Sequence, residues 1–376
     1  MKATHYDEVY DSYRGQIRRF ALEKVAPFAA TVDEDERPPL EAYEASLALG
    51  LPGLPFSEEF GGQDGDVISQ IITVEELARV CASSATTVST CWIMMLVQRF
   101  GSDEQKRKLI PPVVQGQQRS AWGLTEPKGG SDLMGVVASA KKTADGWLLN
   151  GTKRFITNGG WADWYLIFAR TEPEKFGIFL VSKQDQGVSF GTPERKMGLR
   201  GSPTCDVILE DCLIPLDRVV GDPAKGGEYI RAGLLASRLK YAAHGLGIAQ
   251  GALDEAVAYT QGREQFGRPV SDFQMIKGMV ADMAMKVEAG RALLMHAATL
   301  VLNQEPGAKK YASMAKVTCT DAAMSVATDA VQLHGGYGYL KDYPVERMLR
   351  DAKITQIWEG TNQIQRLMIA KEVYAG

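Results

Sequence analysis

A chain of 376 residues with 45% hydrophobic and 23% charged side chains is too long for one compact core and has the composition of an ordinary globular protein. Its 42 basic and 46 acidic residues are interleaved and leave a net charge of −4, which argues against nucleic acid as a partner. The five cysteines are odd in number and never two residues apart, which argues against a disulfide framework or a zinc knuckle and fits a reducing cytosol.

The segment from Met1 to Arg19 is polar and charged, without the apolar core of a signal peptide, so a cytoplasmic protein is expected. Ile17, Phe20, Ala21 and Val25 then follow helical spacing, and Pro27 marks a stop. Pro52 to Asp66, with Gly53, Pro55, Gly61, Gly62 and Gly65, reads as a loop. Between Arg79 and Arg99 no charged residue occurs, yet Ser83, Ser84, Thr86, Thr87, Ser89 and Thr90 make the stretch too polar to span a bilayer. It reads as a buried helix, and no membrane insertion is expected. Ser102 to Gln105 has the form of a capping box opening a helix that continues to Gly116.

From about Ser120 to Pro223 the period changes. Short β-rich runs appear at Trp147–Leu149, Trp164–Ala169, Phe176–Val181, Val188–Phe190 and Val207–Leu209. Turn signals at Asp145-Gly146, Asn150-Gly151, Asn158-Gly159-Gly160 and Gln186-Gly187 separate them. After Gly226-Gly227 the helical period returns. Ile276, Met279, Val280, Met283, Val287 and Leu294 share a face, and Pro306-Gly307 breaks the chain before a helix ending near His334. The expected class is therefore α+β, mainly α. It comprises an N-terminal helical domain (1–118), a middle antiparallel β-barrel or sandwich (119–224) and a C-terminal four-helix bundle (225–376).

Four spots could carry chemistry. Leu124 to Asp132 is a Pro- and Gly-rich loop that needs no function, but Gly129 and Gly130 free backbone amides beside the Thr125 and Ser131 hydroxyls, a set suited to a flavin edge or a phosphate. Arg263 to Pro269 joins two helices, with Ser271 and Gln274 readable as a plain capping box; Arg263 could equally fork a pyrophosphate. Gln332 to Tyr339 lacks the third glycine of a dinucleotide fingerprint and follows a helix, so Gly335 reads first as a C-cap and second as a place where a ligand comes close. Finally, Glu359 stands between Trp358 and Gly360 before a helix that Thr361 or Asn362 can cap. Such a carboxylate, among apolar neighbours and held in one direction, suits proton removal from carbon, although an exposed residue before an ordinary capped helix has the same sequence. The four histidines show no ligand spacing, and no metal site is expected.

Together these segments resemble the acyl-CoA dehydrogenase family, in order and along nearly the whole chain. The resemblance rests on Arg18-Arg19-Phe20-Ala21 with Val25-Ala26-Pro27, Pro55 to Gly62, Glu75 to Arg79, Leu124 to Pro127 with Gly130 to Asp132, Lys153 to Gly160, Arg263 to Pro269, Gln332 to Gly338 and Glu359 to Gln363. It implies FAD as cofactor, a homo-oligomer that is usually a tetramer, and a cofactor shared between subunits. By position, Trp122, Leu124, Thr125, Ser131, Phe155, Ile156 and Thr157 would line the flavin. Arg263, Phe266, Gln274, Gln332, Leu333, Gly335 and Gly336 would reach its diphosphate and adenosine from a partner, and Thr361 and Gln363 would touch it near Glu359. Ser131, Arg238 and Gly360 fall where the family contacts acyl-CoA.

The implied reaction is α,β-dehydrogenation of an acyl-CoA thioester, with Glu359 taking the α-proton, flavin N5 the β-hydride, and an electron-transfer flavoprotein the electrons. Three residues depart from the family pattern. Phe155 stands where a Trp is common, and Leu235 replaces the Asp of an Asp-x-x-Arg pattern that keeps Arg238, which makes a carrier-protein thioester thinkable. Ser237 occupies the position of the base in the isovaleryl-type branch and cannot serve as one, so Glu359 is preferred. A flavin-binding or flavin-free scaffold without catalysis is the reading of another class.

Overall fold

The computed structural model describes residues 8–375. Helix α1 (Glu8–Phe20) runs through a π-turn (Ala21–Val25) and a 3-10 turn (Ala26–Phe28) into α2 (Ala29–Glu34). Ile17, Phe20, Ala21 and Val25 are all buried, as their spacing predicts. Pro27 does not stop the run. It falls in the first turn of the 3-10 segment, where a missing N–H costs nothing, and the chain stays helical to Glu34.

After α3 (Leu40–Ala48) the expected loop holds two 3-10 turns and buries Leu54, Phe56 and Phe60. Helix α4 (Val67–Ala78) is buried over most of its length, and its carboxylates gather cations from two other helices. Glu75 accepts from Arg14 at 2.8 Å and from Arg291 at 3.0 Å, while Glu76 accepts from Arg14 at 2.7 Å and Arg18 at 3.1 Å.

The uncharged stretch is buried but is not one helix. It divides into α5 (Ala82–Thr90), a 3-10 turn (Cys91–Met94) and α6 (Met95–Phe100). Thr86, Ser89 and Thr90 return their hydroxyls to the carbonyls of Ala82, Ala85 and Thr86, at 3.1, 2.7 and 2.6 Å. This satisfies them without water. Helix α7 (Asp103–Val114) opens on the expected capping box between Ser102 and Gln105.

Seven strands form one sheet: β1 (Ser120–Gly123), β2 (Ser139–Lys142), β3 (Trp147–Thr157), β4 (Trp164–Glu172), β5 (Lys175–Ser182), β6 (Val188–Phe190) and β7 (Thr204–Ile214). The order is β1-β4-β2-β3-β7-β6, with β5 also paired to β4. Most pairings are antiparallel, but β1 and β2 run parallel to β4. These two strands are short and poor in β-branched residues, so the sequence pattern does not reveal them. Asn150-Gly151 is not a turn either: β3 continues through it as a bulge, with Gly151 at φ 140°.

Helix α8 (Gly226–Gly262) leads to a small hairpin of β8 (Glu264–Gln265) and β9 (Arg268–Pro269), then α9 (Gln274–Leu302), α10 (Ala308–His334), α11 (Pro344–Thr355) and α12 (Asn362–Tyr374). The C-terminal part is helical as expected, with three long helices and the shorter α11 and α12 packed on α10. The Ser271–Gln274 capping box is not formed, because Ser271 lies in a 3-10 turn and Phe273 takes the N-cap position of α9. Helix α8 touches α4, α9, α10 and α11 and is the axis of the molecule. Among the described residues no helix is long and apolar enough to cross a membrane.

Candidate active site

Glu359 lies in the turn between α11 and α12, and the turn is held from several sides. Its own φ is 54° and that of Gly360 is 86°, two successive residues in the left-handed region, where a non-glycine side chain is costly. Lys316 of α10, fully buried, donates to the Gly360 carbonyl at 3.0 Å and to Asn362 Oδ1 at 2.8 Å. Asn362 Nδ2 in turn donates to Thr320 at 2.9 Å and Asp321 at 2.8 Å, and Gln365 Nε2 reaches the Glu359 carbonyl at 3.3 Å. Thr361 caps α12, its hydroxyl accepting from Ile364 N at 3.2 Å. The backbone N–H groups of Glu359 and Gly360 find no acceptor among the described residues.

The carboxylate itself accepts a short hydrogen bond from Ser237 Oγ of α8. Its surroundings are less apolar than the sequence implies. The Trp358 ring turns onto Tyr241 and His244, with centroids at 4.5 and 5.2 Å, while cations face the carboxylate. Burial pushes Arg238, Lys240 and Lys316 below their ordinary values, Lys316 to about 8, and the Glu359 charge pulls each back up. Ser237, Lys240 and Lys316 are what sequence reading misses here. The only signal was that Ser237 occupies the base position of the other branch, a position that faces the same reacting atoms.

On the sheet, Trp122 is half-buried at the end of β1, which packs on the Cys91–Met94 turn. Leu124 is buried, and the Thr125–Ser131 turn hangs from Glu126. Glu126 accepts from Val137 N at 2.8 Å, Ala138 N at 3.0 Å and the buried Lys153 ammonium at 2.6 Å. Burial would raise Glu126, but Lys153 and the two amides hold it below its ordinary value. Ser131 is exposed, and a side chain built on Gly129 would meet nothing within 4 Å. In β3 a second bulge between Lys153 and Ile156 throws Phe155 outward at φ 57° and 58% exposure, beneath the Arg154 guanidinium at 4.6 Å. Ile156 stays buried and Thr157 half-buried.

The remaining residues lie elsewhere. Arg263, Gln332, Leu333, Gly335 and Gly336 line a cleft of about 440 Å³ with Tyr259 and Tyr337. Gly335, at φ 59°, ends α10, and neither it nor Gly336 has an atom within 4 Å of where a Cβ would stand. Phe266 is 93% exposed at the tip of the β8–β9 hairpin, where φ values of 54° and 77° at Phe266-Gly267 make the tight turn, and it lies outside the lining of the cleft, as does Gln274. Arg263 follows Ser237 by 26 residues along α8, about 39 Å of helix at 1.5 Å per residue. The structure therefore groups Glu359, Gly360, Thr361 and Arg238 about a third of the way along α8, and the cleft residues at its C-terminal end.

The comparisons with known proteins agree along the chain. The model for the acyl-CoA dehydrogenase N-terminal domain matches residues 7–117, that for the middle domain 121–212 and that for the C-terminal domain 224–374. The chain belongs to the acyl-CoA dehydrogenase family. Probable acyl-CoA dehydrogenase FadE25 of Mycobacterium tuberculosis is 44% identical over 370 residues, 97% of this chain and 95% of that protein. The structure of butyryl-CoA dehydrogenase from Megasphaera elsdenii superposes with a TM-score of 0.94 at 38% identity, covering 99% of this chain and 100% of that one. A structure of PigA with FAD and proline gives 0.94 at 26% identity, over 99% of each chain. This acyl-CoA dehydrogenase is an oxidoreductase of a family of FAD-binding flavoproteins.

The residues present suit FAD. An outward-facing aromatic ring at Phe155, open backbone at Gly129, and a cleft with a guanidinium beside two uncovered glycines supply a stacking face and anion donors.

Proposed function

We propose that this acyl-CoA dehydrogenase removes hydrogen from the α and β carbons of an acyl-CoA thioester, with Glu359 as the base that takes the α-proton. The observation that carries this reading is the Glu359-Gly360 turn. A carboxylate aimed by Ser237 sits beside two backbone N–H groups that find no acceptor among the described residues. A thioester carbonyl placed against those donors would have its developing negative charge stabilised, and such a donor is typically worth roughly 2.7–4 kcal/mol.

FAD, when bound, supplies the acceptor for the hydride that leaves the β carbon. Trp122, Leu124, Thr125, Phe155, Ile156 and Thr157 would hold its ring, with Thr361 and Gln363 near Glu359. Arg263, Gln332, Leu333, Gly335 and Gly336 of a neighbouring copy would hold its diphosphate and adenosine. The separation of about 39 Å along α8 supports this division, because one flavin is too short to touch both places on the same helix. An electron-transfer flavoprotein is the acceptor that the family resemblance implies, and the five free, buried thiols suit a reducing compartment such as the cytoplasm.

Anaerobic mixing of the yellow protein with acyl-CoA thioesters tests the reading, since a substrate bleaches the flavin. Glu359→Gln is expected to keep the colour and to bleach on the order of 10²–10⁴ times more slowly. Unchanged bleaching in that variant removes Glu359 from the mechanism. The half-buried Leu235, where the family often has Asp, favours running acyl-carrier thioesters beside the CoA thioesters.

A further inference from the structure

Lys240 has no part in that scheme, and its position is unusual for an ammonium group. It follows Ser237 by one turn of α8, on the face that meets the Glu359 turn: Ser237 bonds the carboxylate, and Tyr241 packs on Trp358. Its wall is otherwise apolar or neutral, formed by the end of α5 and the Cys91–Met94 turn, where Cys91, Trp92 and Met94 are buried. Lys240 Nζ donates to the Ser89 carbonyl at 3.3 Å and lies 4.6 Å from the Tyr241 ring centroid. Among the described residues no carboxylate comes within ion-pair distance of it.

An ammonium group has three donors, and one long bond to a carbonyl leaves most of that capacity unused. Holding an unpaired cation away from water is costly unless a partner arrives. Lys316 shows the contrast. It is also buried near Glu359, but the Gly360 carbonyl and Asn362 both accept from it, which makes it part of the scaffold. Lys240 is half-buried as a residue, and its ammonium keeps only the Ser89 carbonyl as a hydrogen-bond acceptor among the described residues.

We propose that Lys240 selects the acyl group, and that the preferred substrate is a short acyl thioester whose far end carries a carboxylate, paired with the Lys240 ammonium. This rests on the dehydrogenase reading and deepens it. The thioester end is fixed at the Glu359-Gly360 turn, and Lys240 stands one helical turn away, so a short chain spans the gap. A methyl-terminated chain of the same length leaves the cation desolvated and unpaired, and is disfavoured for that reason.

The test uses the flavin-loaded protein and the rate of anaerobic bleaching. The probes are the CoA monothioesters of succinate, glutarate and adipate against butanoyl-, pentanoyl- and hexanoyl-CoA. At least one carboxyl-terminated probe is expected to exceed its methyl-terminated partner in kcat/KM. Lys240→Leu is expected to lower that ratio on the order of 10²-fold, the usual scale for losing one side of a buried charge pair. Lys240→Arg should keep the preference. A wild-type protein that favours every methyl-terminated probe overturns the proposal, even if Lys240→Leu fails to fold. So does a Lys240→Leu variant in which both series fall by one factor, which would give the ammonium to Glu359 alone. Bleaching by none of the thioesters overturns the dehydrogenase reading and this proposal with it.

Discussion

At the residue scale, the proposed base is only as good as the turn that aims it. Two left-handed residues in succession do not hold themselves, and Lys316 is one of their supports, joining α10 to the Gly360 carbonyl and Asn362. Lys316→Met leaves two buried acceptors without their donor and is expected to cost about 1–3 kcal/mol. The pH dependence gives this loss a signature. Lys316 ionises near 8 in the fold and at its ordinary 10.5 when unfolded, so between these values the unfolded chain holds more protons and stability rises with pH. Below about pH 8 the cost of burying the charge is present in full. The Met variant lacks this slope. Urea unfolding should therefore show the gap between wild type and variant widening from pH 8 to pH 10, and a constant gap would mean that Lys316 is not buried as a charge.

At the scale of elements, the bulge at Lys153–Ile156 decides whether β3 is only a strand or also a wall of the proposed flavin site. By turning Phe155 outward it leaves a large aromatic 58% exposed, and exposure means that the fold does not depend on it. Phe155→Ala is accordingly expected to leave the melting temperature of the flavin-free protein within a degree or so of wild type, since surface changes fall within roughly 0.5 kcal/mol. Flavin retention through gel filtration should drop. Loss of apo-protein stability instead would make Phe155 a packing residue. Neither bulge is legible in the chain: Asn150-Gly151 has the composition of a turn, and nothing in Lys153 to Thr157 marks an extra residue. The long elements were legible because burial imposes a period, as in Ile17 to Val25 and in Met283, Val287 and Leu294. Strands β1 and β2 were not, being four residues each. Glu359 could be singled out from its neighbours and the resemblance, but the cations facing it come from α8 and α10, and no local pattern joins residues so far apart in sequence.

For the whole molecule, the distance along α8 makes assembly part of the proposed site. If each flavin is shared, two defective chains can repair one another. A copy carrying Glu359→Gln still offers an intact Arg263, and a copy carrying Arg263→Ala still offers an intact Glu359. Co-refolding the two is expected to restore bleaching in mixed oligomers, because one kind of site there combines both intact residues while the other combines both defects. Mixtures no more active than their parts would mean that each chain holds its flavin alone. The same helix carries a further consequence. A continuous rod of 37 residues, packed on both sides, has no joint at which one end could loosen while the other stays put. Colour and quaternary state should then be two readings of a single equilibrium: dilution that parts the subunits releases the yellow coenzyme, and added coenzyme draws the subunits back together.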